Sequence, residues 1–307
     1  MAVLYNKNKV LWGEKENTMD RRKICMGALV GLCVSGFLWW QDKAVEVSEH
    51  VLWHDKIGNT FDGFTILQVS DLQSNRFGRK QRRLIEKARE THPDIIVITG
   101  DLIDRNHTDY LLAYQAVKGL SEIAPVFYVN GNHELLLDQK EYGEFLDKID
   151  GITAILNGSS VLIESDLDED GILFAGLDEN VTMDARGWNR KNVNYDGGMI
   201  SHEVKRLFSD GDDRYRVLLA HEPQFIDEYA EGNPDLVLSG HAHGGQVRLP
   251  YIGGIYSPEQ GLFPKYSEGM HQLEHTKMIV SRGLGNSRFP FRIFNRPELV
   301  RIVLKKG

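Results

Sequence analysis

Five short apolar runs in this chain each break off into Asp, Asn or His, and that pattern limits the fold more than any other feature. Residues 64–69 (FTILQV) run into Ser70-Asp71, and 94–99 (DIIVIT) into Gly100-Asp101. Residues 126–129 (VFYV) lead to Asn130-Gly131-Asn132-His133, 216–220 (RVLLA) to His221, and 236–238 (LVL) to Ser239-Gly240-His241-Ala242-His243. Each run is too short for a buried helix and rich in β-branched residues, which reads as buried strand. Helical patterns lie between the early runs, over 79–91 with Leu84, Ile85 and Ala88 on one face, then over 108–120 and 138–149. Strand–helix alternation implies an α/β sandwich. In such sheets ligands sit beyond the carboxyl ends of the strands, so the polar groups should converge on one edge. Residues 152–164, 171–178, 277–282 and 299–304 read as further strands in a second layer. Residues 165–171 (SDLDEDG) lack the spacing and terminal Glu of an EF-hand and read as a solvated hairpin tip.

Residues 24–40 (ICMGALVGLCVSGFLWW) carry no charge. Seventeen residues is the short end of a bilayer span, roughly 17–25. Arg21-Arg22-Lys23 precede the stretch and Trp39-Trp40 close it, flanks that suit a membrane interface better than a buried core helix. The basic side should stay in the cytoplasm, which places residues 43–307 outside. No A-x-A cleavage site follows and no lipobox precedes either cysteine, so a retained signal anchor is expected. An exported body with a cleaved signal is the alternative. Residues 20–25 loosely resemble a twin-arginine export signal, and Met19 is a second candidate start. The expected division is a basic segment at 1–23, a membrane helix at 24–40, a linker and first strand at 41–60, and one domain at 61–307. The two cysteines, Cys25 and Cys33, both lie in the apolar stretch. Eight helical residues put them about 12 Å apart, too far to bridge. A disulfide scaffold, a zinc ribbon and a CxxC redox motif are excluded, and a cysteine-free body suits an oxidising compartment.

The strand-end groups in order are Asp71-x-Gln73, Gly100-Asp101-x-x-Asp104, Gly131-Asn132-His133-Glu134, His221 and Gly240-His241-x-His243. Divalent ions of hard to borderline character take carboxylate, imidazole and amide oxygen ligands. Two such ions about 3.5–4 Å apart need one bridging carboxylate and a few private ligands each. Asp71, Gln73, Asp101, Asn132, His221, His241 and His243 fit that requirement, with positions left for water and substrate. Alone, His221 would read as a structural histidine and Gly100-Asp101 as a turn; the ordered set carries the inference. His50, His54, His92, His107, His202, His271 and His275 fit no motif and read as surface or capping groups.

This order resembles the calcineurin-like metallophosphoesterases, whose motifs run D-x-H, GD-x-x-D, GNH[DE], a lone His and GH-x-H. Here they read SDLQ, GDLID, GNHE, AHEP and GHAH. The likeness continues in Gly244-Gly245-Gln246 and in 281–300 (SRGLGNSRFPFRIFNRPELV), similar to a bacterial branch with membrane-associated and UDP-diacylglucosamine hydrolase-type enzymes. It implies a four-layer αββα sandwich and two divalent metal ions (manganese, zinc, iron or magnesium). It further implies that Asp101 bridges both metals, with Asp71, Gln73 and His243 completing the first site and Asn132, His221 and His241 the second. His133 would face the scissile phosphate, and Asp104 would orient it by a hydrogen bond. One position departs: Gln73 stands where the family usually has His. A neutral amide oxygen is a poorer zinc donor than imidazole, so a weaker first site that tolerates manganese or magnesium is expected.

The implied activity is hydrolysis of a phosphoester by a metal-activated hydroxide at the outer face of a membrane, with phosphodiester or pyrophosphate-linked substrates in view. A lipid-linked phosphoester suits an anchored enzyme. The alternatives are a non-catalytic metal-binding interaction module and a nuclease. Residues 1–40 carry +3 and the whole chain −8, leaving −11 on the body. That charge argues against nucleic acid as partner, which needs a basic footprint. Arg76, Arg79, Lys80, Arg82 and Arg83 form a local basic run, either a solvated helix face or a rim that gathers phosphate or an anionic lipid headgroup. Trp188, Tyr195 and Tyr251 either line a pocket or pack. Oligomeric state stays open.

Overall fold

In the computed structural model, which describes residues 4–6, 9–11, 21–167, 170–187, 195–209, 213–286 and 289–307, strands form at the apolar runs with ends shifted by a residue or so. Trp188, Met19 and two residues of the acidic turn, Asp168 and Glu169, lie outside the described residues. Two units separate, Met1–Trp40 and Gln41–Gly307. The first holds an antiparallel ribbon of β1 (Leu4–Asn6) and β2 (Lys9–Leu11), and most of α1 (Arg21–Lys43). α1 is long and apolar enough over Lys23–Lys43 to cross a membrane. Its large apolar side chains, Met26, Leu29 and Leu32 among them, are exposed, the reverse of a core helix.

The second unit continues with β3 (Glu46–His54), β4 (Thr65–Val69), α2 (Arg82–Arg89), β5 (Ile95–Thr99), α3 (Tyr110–Ser121), β6 (Val126–Val129), α4 (Gln139–Ile149) and β7 (Ala154–Ile155). Then come β8 (Ser159–Glu164), β9 (Gly171–Gly176), α5 (Glu179–Arg186), α6 (Gly197–Leu207), β10 (Tyr215–Leu219), α7 (Ile226–Ala230) and β11 (Leu236–Ser239). Two small ribbons follow, β12 (Arg248–Leu249) with β13 (Gly253–Gly254), and β14 (Tyr256–Ser257) with β15 (Gly261–Leu262). β16 (Gly269–Leu273), β17 (Thr276–Val280) and β18 (Glu298–Lys306) close the chain.

Alternation along the strands builds four layers. One sheet has the order β3-β18-β4-β5-β6-β7 and the other β16-β17-β11-β10-β9-β8. Ile66, Val97 and Phe127 of the first sheet meet Phe174, Val217 and Leu238 of the second in a core between the sheets. The opposite faces, through Leu67, Ile96 and Tyr128, pack on Leu84, Val117 and Phe145 of α2, α3 and α4. Leu218, Val237 and Met278 pack on Ile200, Val204 and Ile226 of α6 and α7. Buried on both faces, these strands read as near-continuous apolar runs, as parallel sheets do. Asp109 and Asp138 cap α3 and α4, accepting from the N–H groups of Leu112 and of Lys140 and Glu141, which fixes where those helices begin.

Three expectations need correction. Residues 152–164 do not form one strand in the second layer: β7 pairs with β6 in the first sheet and β8 with β9 in the second. The turn at Gly158, with φ of 72°, carries the chain from one sheet to the other. Residues 299–304 do not join the second layer either. They lie in β18, inside the first sheet, antiparallel to β4 and parallel to β3. The helix expected over 79–91 becomes regular only at Arg82, because Lys80 and Gln81 take left-handed φ values of 52° and 59°.

Candidate metal centre

The carboxyl ends of the parallel strands β4, β5 and β6 of one sheet and β10 and β11 of the other all lead into the expected residues. Gln68 on β4 ties the two sheets together at this end, donating to Thr99 Oγ1 at 3.0 Å and to the Ser239 carbonyl across the core at 2.8 Å. The loops are tied as well. Asp71 N–H donates to the Gly100 carbonyl at 3.0 Å, Gln73 N–H to the Asp101 carbonyl at 2.9 Å, and Gly240 N–H to the His221 carbonyl at 3.0 Å. Packing is too close for a side chain at some glycines: a Cβ on Gly240 would lie 1.9 Å from Ser70 Oγ, and one on Gly131 2.5 Å from Asp101 Oδ1.

All seven expected ligand residues are buried and gather here. Ligand atoms of Asp101, His221 and His241 lie within 4.8 Å of one another, and so do those of Asp71, Asp101 and His243. Asp101 belongs to both groups. Asn132 Oδ1 joins the first, 2.9 Å from His241 Nδ1 and 3.2 Å from His221 Nε2. Gln73 reaches the shared carboxylate, its Nε2 donating to Asp101 Oδ2 at 2.6 Å. His243 Nε2 lies 3.3 Å from Asp71 Oδ1.

Each imidazole is turned by a hydrogen bond on its far nitrogen. His221 Nδ1–H donates to the Thr99 carbonyl at 2.8 Å, and His243 Nδ1–H to the Gly285 carbonyl at 3.3 Å. His241 Nε2–H donates to Glu259 Oε2 at 2.9 Å. The other nitrogens, His221 Nε2, His241 Nδ1 and His243 Nε2, are turned into the cluster, the first and last toward Asp101 and Asp71 and the second toward Asn132 Oδ1. Fixing the tautomer from outside is how proteins orient metal-binding histidines. The residues therefore fit divalent cations. Gln73 Oε1 is buried without a hydrogen-bond partner, and a cation is one partner that would satisfy such an oxygen.

The charges agree. Burial works to raise the Asp101 carboxyl, and His133 and His221 outweigh it, holding Asp101 below the ordinary carboxylate range. Burial works to lower His221, but Asp101, Asp71 and Glu179 hold it well above its ordinary value. His243 is pushed down to about 4, first by burial, against Asp71 and aided by Arg292. A cation placed among these groups would take the place of the proton that the carboxylates hold on His221.

The backbone is strained where the ligands are. Asp71, Gln73, Asp101, His241 and His243 have φ of 51°, 50°, 52°, 65° and 48°. Left-handed conformations at residues other than glycine cost on the order of 1 kcal/mol or more each and cluster at functional sites. Strand-end spacing gave no hint of this.

Three further groups support the site. Glu134, quoted within its motif but given no role, is fully buried and accepts from the N–H groups of Asp101, Ile103 and Gly131, each at 2.9 Å. Burial and then Asp101 push its carboxyl up to about 8, against those N–H donors. Glu259 comes from a loop outside every motif, and the buried Arg292 from the 281–300 segment of the likeness, where it was given no role. Arg292 donates to the carbonyls of Gly285, Asn295 and Arg282, holding the carbonyl that orients His243. The sequence offers no local sign of either role.

The two remaining site residues sit at the mouth. A cavity of about 60 Å³ is lined by Asp101, Asp104, Asn132, His133, His241 and Glu259, several times the roughly 10–15 Å³ that one water needs. The expected hydrogen bond between Asp104 and His133 is not formed. Asp104 Oδ2 lies 3.6 Å from His133 Nδ1, and Nδ1 accepts from the Arg105 N–H at 3.3 Å. Asp104 Oδ1 is engaged by the N–H groups of Asn106 and His107 at 2.6 and 2.8 Å, which holds the carboxylate in its own loop. Of the other candidates, Tyr195 stacks on Phe225 and Tyr251 is fully exposed; neither lines this cavity.

Comparison with known proteins gives the family. Residues 64–245 match the calcineurin-like phosphoesterase family. The chain is similar to the uncharacterized metallophosphoesterase YkuE of Bacillus subtilis, with 34% identity over 94% of this chain and 98% of that one. It is 28% identical to the phosphodiesterase YaeI of Escherichia coli over 78% of this chain and 82% of that one. A transmembrane protein with metallophosphoesterase domain from Danio rerio matches at 29%, over 82% of this chain and 56% of that protein. The chain belongs to the calcineurin-like phosphoesterase family and is a metal-dependent phosphoester hydrolase.

Proposed function

We propose that this protein is a membrane-anchored phosphoesterase that works with two divalent cations at the outer face of its membrane, on phosphodiester or pyrophosphate-linked substrates that include lipid-linked ones. The observation that carries the reading is that Asp101 is shared by two buried ligand groups, Asp101–His221–His241 and Asp71–Asp101–His243. In this reading Asp101 would be shared between the two cations; Asp71, Gln73 and His243 would hold one, and Asn132, His221 and His241 the other. When bound, such a pair neutralises charge on phosphoryl oxygens and makes a water nucleophilic near neutral pH. The chain's own residues do the rest. Asp101, Asp71 and the three oriented imidazoles would fix where the cations sit. His133 keeps its proton on Nε2, because Nδ1 accepts from Arg105, and Nε2–H is offered to the leaving oxygen. Arg105 and Asn106, lining the cavity, contact the ester beyond the phosphorus.

The anchor reading rests on α1, exposed and apolar over Lys23–Lys43, and on the transmembrane description of the Danio rerio relative. The outward orientation follows from the basic residues before the span. The test is elemental analysis of purified protein, joined to a panel of phosphomonoesters, diesters and nucleotide-linked lipids. Two equivalents of metal and chelator-sensitive turnover of diesters or pyrophosphates are expected. Asp101→Ala should lose both metals and reduce turnover by about 10³-fold or more. One metal per chain, or retention of both in Asp101→Ala, overturns the bridging role.

A further inference from the structure

The loops beside the metal centre carry an exposed apolar load that hydrolysis does not use. Tyr251, Ile252 and Phe263 are each at least 59% exposed, and Phe289, Phe291 and Phe294 are 43–56% exposed. The two segments are knit together: Arg248 N–H donates to the Ile293 carbonyl at 3.0 Å, and Phe289 N–H to Gln246 Oε1 at 2.9 Å. Phe289 and Phe291 line a cleft together with His243, so this surface borders the site itself.

The same surface is tied to the point where α1 delivers the chain. Arg292 N–H donates to Asp42 Oδ1 at 2.9 Å and Asn295 N–H to Gln41 Oε1 at 3.3 Å. Lys43, the last residue of α1, donates to Asn75 Oδ1 and lies over the Phe77 ring, 5.6 Å from its centre. Directly after Phe77, the exposed Arg79, Lys80, Arg82 and Arg83 line a groove of about 690 Å³. Residues 41–43 are thus held between a phenylalanine-rich loop and the segment 75–77 that leads into the basic groove.

A helix of 23 residues is about 34 Å long, and a bilayer core is about 30 Å thick. The end of α1 therefore emerges at the headgroups. Exposed aromatics beside Arg and Lys are the composition that binds an anionic interface, the rings entering the acyl boundary and the cations meeting lipid phosphates. On a body of net charge −11, only a local basic patch can make that contact. We propose that the surface formed by Phe289, Phe291 and Phe294, with the Arg79–Lys80–Arg83 groove, docks on an anionic phospholipid bilayer and sets the mouth of the metal centre beside the headgroups. This rests on the reading of α1 as a membrane anchor.

The test uses the full chain in nanodiscs containing phosphatidylglycerol, in two sets with lipids brominated either at the top or at the middle of the acyl chains, the first read for positions 291 and 167 and the second for position 33. An environment-sensitive fluorophore is placed at Phe291→Cys or, as a control on the β8–β9 turn, at Leu167→Cys, each with Cys25→Ser and Cys33→Ser. A third sample carries the label on native Cys33 with Cys25→Ser, and reports α1 alone. Quenching at positions 33 and 291 but not at 167 is expected. Charge reversal at Arg79, Lys80 and Arg83 should bring position 291 down to the level of 167 while position 33 stays quenched and hydrolysis of a soluble diester is unchanged. Quenching at 33 without quenching at 291 overturns the docking surface and leaves the anchor standing. Absence of quenching at 33 overturns the anchor. A change at 291 that follows protein concentration rather than lipid overturns docking in favour of self-association.

Discussion

Glu259 Oε2 sits 2.9 Å from His241 Nε2, on the side of the ring that faces away from Asp101. Arg186 Nη1 lies 3.5 Å from the other oxygen of Glu259 and also donates to Glu222 Oε2 at 3.1 Å. The ring that would bind a cation is held by a carboxylate that is itself held.

That arrangement predicts a metal-affinity defect at a residue outside the ligand set. Glu259→Leu removes the acceptor, frees the tautomer and should weaken metal binding about 10–100-fold. Glu259→Gln keeps an oxygen for Nε2–H and should lie close to the parent. Competition with a chelator measures both. Parent-like affinity in Glu259→Leu would remove Glu259 from this role.

The site was more legible than its supports, and the reason is physical. Asp71, Asp101 and His241 follow apolar runs directly, because strands of one direction must end on one edge and a ligand just past the end lands there. Glu259 acts through a contact 18 positions away, and Arg292 acts through Gly285, which meets His243 across 42 positions; no periodicity records such contacts. The inner strands were legible because burial on two faces leaves little but β-branched and aliphatic residues. The apolar residues of β18, Leu299, Val300, Ile302, Val303 and Leu304, are of the same kind, so nothing in them says which sheet the strand enters; that is settled by pairing with β3 and β4. The crossing at 156–158 is hidden for a related reason. Apolar character continues through Leu156, and only a left-handed glycine marks the change of sheet.

Gln73 should set which metal the first site prefers. Its amide meets the shared carboxylate, Nε2 lying 2.6 Å from Asp101 Oδ2, while Oε1 has no hydrogen-bond partner. Replacing a neutral oxygen donor by imidazole favours zinc over manganese or magnesium. Gln73→His should raise zinc occupancy at that site, by about 10-fold or more in affinity, read by competition between zinc and manganese followed by elemental analysis. Unchanged zinc preference would count against Gln73 as a ligand.

Away from the metal centre, His54 predicts a pH dependence. Its Nδ1 accepts from the Lys56 N–H at 3.2 Å and its Nε2 faces Asp235 at 3.4 Å. Burial lowers its pKa below 6.5; Asp235 opposes this, and Lys56 and Lys277 add to it. The unfolded chain therefore binds the proton first as pH falls through 6.5, and stability drops below that value until the folded pKa is passed. Thermal unfolding at pH 7.5 and pH 5, with metal chelated, should show a smaller acid-side loss in His54→Gln than in the parent. Equal losses would mean that His54 contributes nothing to the slope.

His133 makes the sharpest kinetic prediction, because its proton is placed by the backbone. Nδ1 accepts from the Arg105 N–H at 3.3 Å, and Asp104 stands back at 3.6 Å, so Nε2 carries the hydrogen, 4.0 Å from Asp101 Oδ2. His133 is absent from both ligand groups, so His133→Ala should keep its metal. A proton donor matters most when the departing oxygen is basic. For alkyl diesters the loss in kcat should reach about 10²–10⁴-fold, whereas a nitrophenolate leaves without protonation and its ester should lose far less. The measurement is kcat against leaving-group pKa for parent and variant. A steeper dependence in His133→Ala is expected, and parallel lines would show that the imidazole does not deliver the proton.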